Sequence, residues 1–145
     1  MTDKPDDHQI SEALLAGITM LARRVRQVQV DDELSLHENS ALKRLNRAGP
    51  TTSSALARLE QITPQSMGRT LAGLEARGLV ERRPDAEDGR RVLLSLTEAG
   101  RQALATRRNT RIETIAAALA NDFTRPEQEQ LMAAARLIER LAEGL

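Results

Sequence analysis

The chain has no cysteine, no tryptophan and no tyrosine, and Phe123 is its one large aromatic residue. Without cysteine there are no disulfides, no thiol redox sensing and no cysteine-ligated zinc, a pattern compatible with a cytoplasmic location. Histidine is nearly absent too: His8 and His37 stand far apart, and a lone histidine at a helix start is ordinarily a surface residue. Asp85, Glu87, Asp88 and Gly89 sit close together but lack the 12-residue frame and closing glutamate of a calcium loop. No nucleophile–base set and no glycine-rich phosphate loop can be assembled. We therefore expect no catalytic residue, no metal and no cofactor. No stretch approaches the ~18 uncharged apolar residues of a membrane span, so no membrane partner is expected. The start, Met1-Thr2-Asp3-Lys4-Pro5-Asp6-Asp7, is acidic with no apolar run behind it, unlike a secretory signal. Residues 1–9 read as a disordered acidic tail.

Net charge is also missing, since 21 Lys and Arg balance 21 Asp and Glu. The balance is uneven along the chain. Residues 1–40 carry 4 basic and 8 acidic side chains, and residues 96–145 carry 7 of each, whereas residues 41–95 carry 10 basic against 6 acidic. A local positive excess is what a nucleic-acid surface requires. With so few aromatics, the core must be built from Leu, Ile, Val, Ala and Met, a composition that favours helix.

What the chain does contain is helical periodicity and clear stop signals. Ile10, Leu14, Ile18, Leu21, Val25 and Val28 form one apolar stripe, predicting a helix over 10–30 that ends at Asp31-Asp32-Glu33. Ser35 and Glu38 have the capping-box spacing, and open a short helix that Gly49-Pro50 stops. The run Thr51-Thr52-Ser53-Ser54 starts another short helix. Only Glu60-Gln61-Ile62 separates it from Thr63-Pro64, an N-cap followed by proline at the first helical position. That second helix spans 63–77 and stops at Gly78, so the pair reads as a helix-turn-helix. Leu79–Arg83 and Arg91–Leu96 are predicted strands of a hairpin, with a polar tip over 85–91. Thr97-Glu98 opens a long helix to about Asn121. Thr124-Arg125-Pro126-Glu127 opens the last, whose Leu131, Ala134, Ile138, Leu141 and Leu145 repeat at the seam spacing of packed helices. The fold class is thus mainly α with a small β-hairpin wing: a winged helix-turn-helix of about six helices in one domain.

The chemistry concentrates in 63–91. In the helix 63–77, Met67, Leu71 and Leu74 form the buried stripe, while Gln65, Arg69, Ala72, Gly73 and Ala76 occupy the opposite face. Polar groups in the first two turns and small side chains beyond them suit a helix lying in a major groove. Gln65 can pair bidentately with adenine and Arg69 with guanine. Ser66 and the free N–H groups of the helix start suit phosphates, and Thr63 and Thr70 are further candidate DNA contacts. Arg82, Arg83, Arg90 and Arg91 flank the hairpin tip and suit a minor groove, where negative potential attracts arginine. Asp88, two positions from Arg90, can hold its guanidinium in one pose.

These words, in this order, resemble the MarR (multiple antibiotic resistance regulator) family. They are Leu56-Ala57, Thr63-Pro64-Gln65-Ser66-Met67, Leu74-Glu75-Ala76-Arg77-Gly78-Leu79-Val80-Glu81-Arg82, and Asp88-Gly89-Arg90-Arg91 running into Leu94-Ser95-Leu96-Thr97-Glu98-Ala99-Gly100. The resemblance covers the lobe 34–97. It implies that the helix from Thr63 is the recognition helix, Arg90 the minor-groove arginine and Asp88 its orienting partner. It further implies that the helices over 10–30 and 98–145 make a homodimer, and allows a small-molecule effector, with an effector-free regulator as the alternative. The expected function is a transcription regulator, by family habit a repressor, binding double-stranded DNA at an inverted repeat. Two positions depart from the family pattern: Gln61 replaces a frequent glycine in the turn, and Glu60 replaces an apolar residue. A winged-helix module that binds protein instead of DNA is the alternative. It predicts loss of the tip arginine and acidic substitutions on the recognition helix; the arginine is present, and the one acidic residue of 63–77 is Glu75, in its last turn.

Overall fold

Helix ends in this chain fall where short-range hydrogen bonds can close them. The computed structural model describes residues 6–28, 30 and 34–145. Its elements are α1 (Asp7–Gln27), α2 (Leu36–Ala48), α3 (Ser53–Leu59), α4 (Pro64–Ala76), β1 (Val80–Pro84), β2 (Val92–Leu96), α5 (Glu98–Asp122) and α6 (Arg125–Glu143). Ser35 and Glu38 make the expected capping box of α2, with Glu38 N–H donating to Ser35 Oγ at 3.1 Å and Ser35 N–H to Glu38 Oε2 at 2.8 Å. Thr52 caps α3 and Thr63 caps α4. Thr97 Oγ1 accepts from Gly100 N–H at the start of α5. At α6 it is Glu127 that closes the turn, taking the N–H and the hydroxyl of Thr124 at 2.7 and 2.8 Å. Those two bonds hold the Glu127 carboxyl below its ordinary pKa.

α1 starts earlier than its apolar periodicity indicates. Asp6 accepts from Gln9 N–H at 2.8 Å, and the Gln9 side chain returns a bond to Asp6 N–H at 3.1 Å. This capping box places residues 7–9 in the helix, inside the stretch expected to be a disordered tail; residues 1–5, like the Asp31-Asp32-Glu33 stop, lie outside the described residues.

The chain divides into two compact units, one of Val30–Asn109 and one of α1 with Thr110–Leu145. The first has a closed core. Leu42, Leu56, Met67, Leu71, Leu74 and Leu94 are all at most 1% exposed, and Ala41, Leu45, Ala57, Val80 and Leu96 complete the cluster. Each fully buried large side chain stabilises the fold by about 1.5–3 kcal/mol. The strands pair antiparallel from Val80↔Leu96 to Pro84↔Val92. Thr51 joins them as a third edge, its N–H donating to Leu94 O at 3.1 Å and its carbonyl accepting from Leu94 N–H at 2.7 Å. Gly78, at φ 71, turns the chain from α4 into β1, and its carbonyl accepts from the Thr97 hydroxyl at 2.6 Å. Gly100 is required by contact rather than conformation, because a Cβ there would lie 2.2 Å from Leu79 O.

In the second unit neither α1 nor α6 has a buried residue. Ile10, Leu15, Leu21, Leu131, Leu137 and Leu141 are all exposed. An apolar groove of about 570 Å³ lies between the two helices, lined by Ile10, Leu14, Leu137, Ile138 and Leu141 among others.

Candidate nucleic-acid interface

α4 presents the two faces that its sequence spacing anticipates. Met67, Leu71 and Leu74 face the core at 1%, 0% and 0% exposure, while Gln65, Arg69, Ala72 and Ala76 are exposed. Gly73 is the exception. It points toward α2, where an added Cβ would meet Glu38 Oε1 at 2.9 Å. The lack of a side chain at Gly73 is therefore explained by the approach of α2, not by a groove floor.

The polar groups of the first two turns fall into two sets. Thr63 Oγ1 accepts from Ser66 N–H at 3.1 Å and donates to Ser66 Oγ at 3.0 Å, and the Thr70 hydroxyl donates to Ser66 O at 3.1 Å. These three side chains build the helix start. Gln65 and Arg69 project from it with no side-chain bond or ion pair among the described residues.

The wing is organised by its backbone. Asp85 N–H donates to Arg91 O at 2.9 Å, and Arg91 N–H to Asp88 O at 3.0 Å, closing the tip. The Asp88 carboxylate accepts from the backbone N–H of Arg90 at 3.1 Å. The expected hold on the Arg90 guanidinium is thus replaced by a hold on its main chain, an Asx turn that sets the direction of the residue. Asp85 likewise accepts from Glu87 N–H at 3.0 Å.

Ion pairs then sort the arginines. Arg82 donates to Glu75 at 2.8 Å, joining the end of α4 to β1; Arg83 pairs with Glu81 at 2.6 Å and Arg91 with Asp85 at 3.9 Å. Arg44 pairs with Glu60 at 2.7 Å and Arg77 with Glu38 at 3.4 Å. Among the described residues of α2 through β2, Arg47, Arg58, Arg69 and Arg90 are exposed without an ion-pair partner. Sequence motifs single out Arg69 and Arg90 but not Arg47 and Arg58. None of Arg47, Arg58 and Arg69 has an acidic residue three or four positions away, a signal that finds all three. The same signal mistakes Arg44 for a free cation, because its partner is 16 residues distant.

The turn holds a glutamine in a backbone conformation that favours glycine. Gln61 is the only non-glycine residue with positive φ among the described residues, at 55°. Glu60, the C-cap of α3, is drawn against α2 by Arg44 and by the Ser40 hydroxyl.

A helix-turn-helix with an attached hairpin, exposed polar groups at the start of α4 and an unpaired arginine at the hairpin tip define a winged-helix DNA-binding protein. Comparison with known proteins carries this to the family. The MarR family profile matches residues 34–92. The chain is 35% identical over 137 residues to the uncharacterized HTH-type transcriptional regulator Mb0904 of Mycobacterium bovis, covering 94% of this chain and 95% of that one. It is 33% identical over 108 residues to the HTH-type transcriptional repressor Mb2911 of the same organism, with 74% and 75% covered. Its fold is similar to that of a mutant of S. aureus MepR bound to an oligodeoxyribonucleotide, with a TM-score of 0.67, 20% identity, and 94% and 98% covered. The chain belongs to the MarR family, and is a DNA-binding transcriptional regulator of that family.

Proposed function

We propose that this protein is a repressor that binds an inverted-repeat operator as a homodimer, with α4 in the major groove and the tip 85–91 in the minor groove. Gln65 and Arg69 read base edges. Ser66, through its hydroxyl, and the N–H left open at the start of α4 meet phosphate, while Thr63 and Thr70, whose hydroxyls donate to Ser66, shape that start. Arg90 enters the minor groove from a tip that Asp88 shapes. Arg82 and Arg91, held by Glu75 and Asp85, brace the wing at the groove edge. The observation that carries this reading is the sorting of charge: Arg69 and Arg90 remain without a carboxylate partner where five neighbouring arginines have one. A phosphate or base therefore gains a cation that no internal pair must surrender. The name of the relative Mb2911 supports repression.

The dimer follows from the exposed apolar stripes of α1 and α6. Two-fold pairing buries one such face against its copy and presents two recognition helices to half-sites about one helical turn apart. We place the protein in the cytoplasm, with the DNA it binds; no helix among the described residues is long and apolar enough to cross a membrane.

Selection of bound duplexes from a random-sequence pool at near-physiological salt tests the proposal. Enrichment of an inverted repeat is the expected result, and binding without enrichment overturns it. Within the selected site, Arg90→Ala should lower affinity for every duplex and reduce the salt slope by about one. An unchanged slope removes the wing from the interface.

A further inference from the structure

We propose that Glu60 is a positioning residue for DNA recognition: anchored to α2 through Ser40 and Arg44, it fixes the turn that aims α4. The inference rests on the DNA-binding reading above and adds to it a residue that touches no DNA.

Glu60 has the surroundings of a clamp. Its side chain is only 13% exposed. One carboxylate oxygen accepts from Arg44 Nε at 2.7 Å, and the other accepts from the Ser40 hydroxyl. His37, Ser40 and Arg44 follow at spacings of three and four, so they form one stripe of α2. Lys43 and Arg47 line a shallow depression together with Ser40 and Arg44, so three cations gather on this side of α2. The Ser40 hydroxyl first, then Arg44 and the charge of His37, hold the Glu60 carboxyl below its ordinary pKa against the opposing effect of burial.

The clamp acts where the backbone most needs external support. Gln61, the next residue, has φ 55, a conformation disfavoured for any L side chain. Two residues later Thr63 caps α4. At the other end of α4, Arg77 pairs with Glu38 of α2 at 3.4 Å, and Gly73 lets Glu38 approach. α2 thus holds α4 from both sides, by Glu60 through the turn and by Glu38 at the C-terminus. The leverage is large. A helix of 13 residues is about 20 Å long, so a tilt of about 10° moves its first turn by about 3 Å, far beyond hydrogen-bond tolerance. Phosphate contacts survive such a shift better than base contacts, because a charge on a flexible stem can follow its phosphate.

The test compares full-length wild type, Glu60→Gln, Ser40→Ala and the double variant Glu60→Gln/Gln61→Gly on the selected operator and on a random duplex. Glu60→Gln should lose about tenfold in operator affinity, as expected for a part-buried bond to a charged group. Its affinity for the random duplex and its salt slope should not change. Ser40→Ala should lose less, in the same direction. Adding Gln61→Gly should restore most of the operator affinity, because glycine adopts the turn conformation without support. Equal losses on both duplexes make Glu60 merely structural and overturn the inference, and circular dichroism of each variant identifies a failure to fold. Tighter binding to both duplexes also overturns it, since Glu60 would then only repel phosphate. So do an unchanged operator affinity and a failure of the double variant to recover. If wild type itself selects no sequence, the DNA-binding reading fails instead.

Discussion

Residues 30–109 and the unit made of α1, the end of α5 and α6 use the same kinds of side chain in opposite ways. In the first, leucines from α2, α3, α4 and β2 meet in one core with almost no exposure. In the second, leucines and isoleucines at equally regular spacing line helices α1 and α6, which bury none of their residues. Periodicity reports which face of a helix is apolar, and says nothing of what covers it. A three-dimensional arrangement of short elements can close around its own core, whereas long helices leave flanks that only further chain can cover. The contrast therefore separates the part of the protein that is complete as one copy from the part that is proposed to be completed by a second.

This contrast makes predictions of decreasing size. Leu42→Ala, at a site with no exposure, should cost about 2–5 kcal/mol in denaturant unfolding. A cost below about 1 kcal/mol would show that the core of this unit is loosely packed and would erase the distinction. Leu137→Arg, on the 56% exposed flank of α6, should leave the α2–β2 unit folded but convert a dimer to monomer in sedimentation. The loss is of order 1.5–3 kcal/mol for each leucine removed from a covered face, and two-fold symmetry removes two. A variant that stays dimeric places the proposed interface elsewhere. Gln61→Gly alone should stabilise the chain by at most about 1 kcal/mol, through relief of the left-handed backbone. A destabilised variant would mean that the turn is shaped by the glutamine side chain rather than strained by it.

Acid should act through the same turn. The Glu60 carboxyl lies below its ordinary value in the folded chain, so its bonds contribute stability at neutral pH. That contribution begins to fade as pH falls below about 4.5, the ordinary value, and is gone below the lowered folded one. Unfolding curves of wild type and Glu60→Gln should converge over that window and differ above it.

Legibility in the sequence follows the range of the interaction. The ends of α2, α4 and α6 are readable because Ser35, Thr63 and Thr124 bond within three or four residues of themselves. The hairpin is readable from two β-branched and leucine-rich runs around Asp88-Gly89. Its third edge is not, since Thr51 and Leu94 are 43 residues apart and Gly49-Pro50 reads only as a stop. Apolar spacing misplaces the start of α1, because the Asp6–Gln9 cap that sets it carries no apolar residue. Among the candidate DNA contacts, exposure of Gln65 and Arg69 follows from the angle of the buried stripe. The role of Asp88 toward the backbone of Arg90 does not, because a carboxylate two positions from an arginine can reach either its guanidinium or its N–H.

By itself, the amino-acid sequence determined the order of helices and strands, the turn glycine at 78, the buried face of α4 and the identity of the arginine at the wing tip. These depend on caps, periodicity and backbone preference, all of which act within a turn or two of chain. Only the tertiary structure decided which arginines are committed to Glu38, Glu60, Glu75, Glu81 and Asp85, and which are left over. It also assigned Gly73 to the approach of α2, and bound the unusual Glu60 to Ser40 and Arg44. Most of those choices join residues from different elements, and a charge has no preferred partner until packing brings one within a few ångströms.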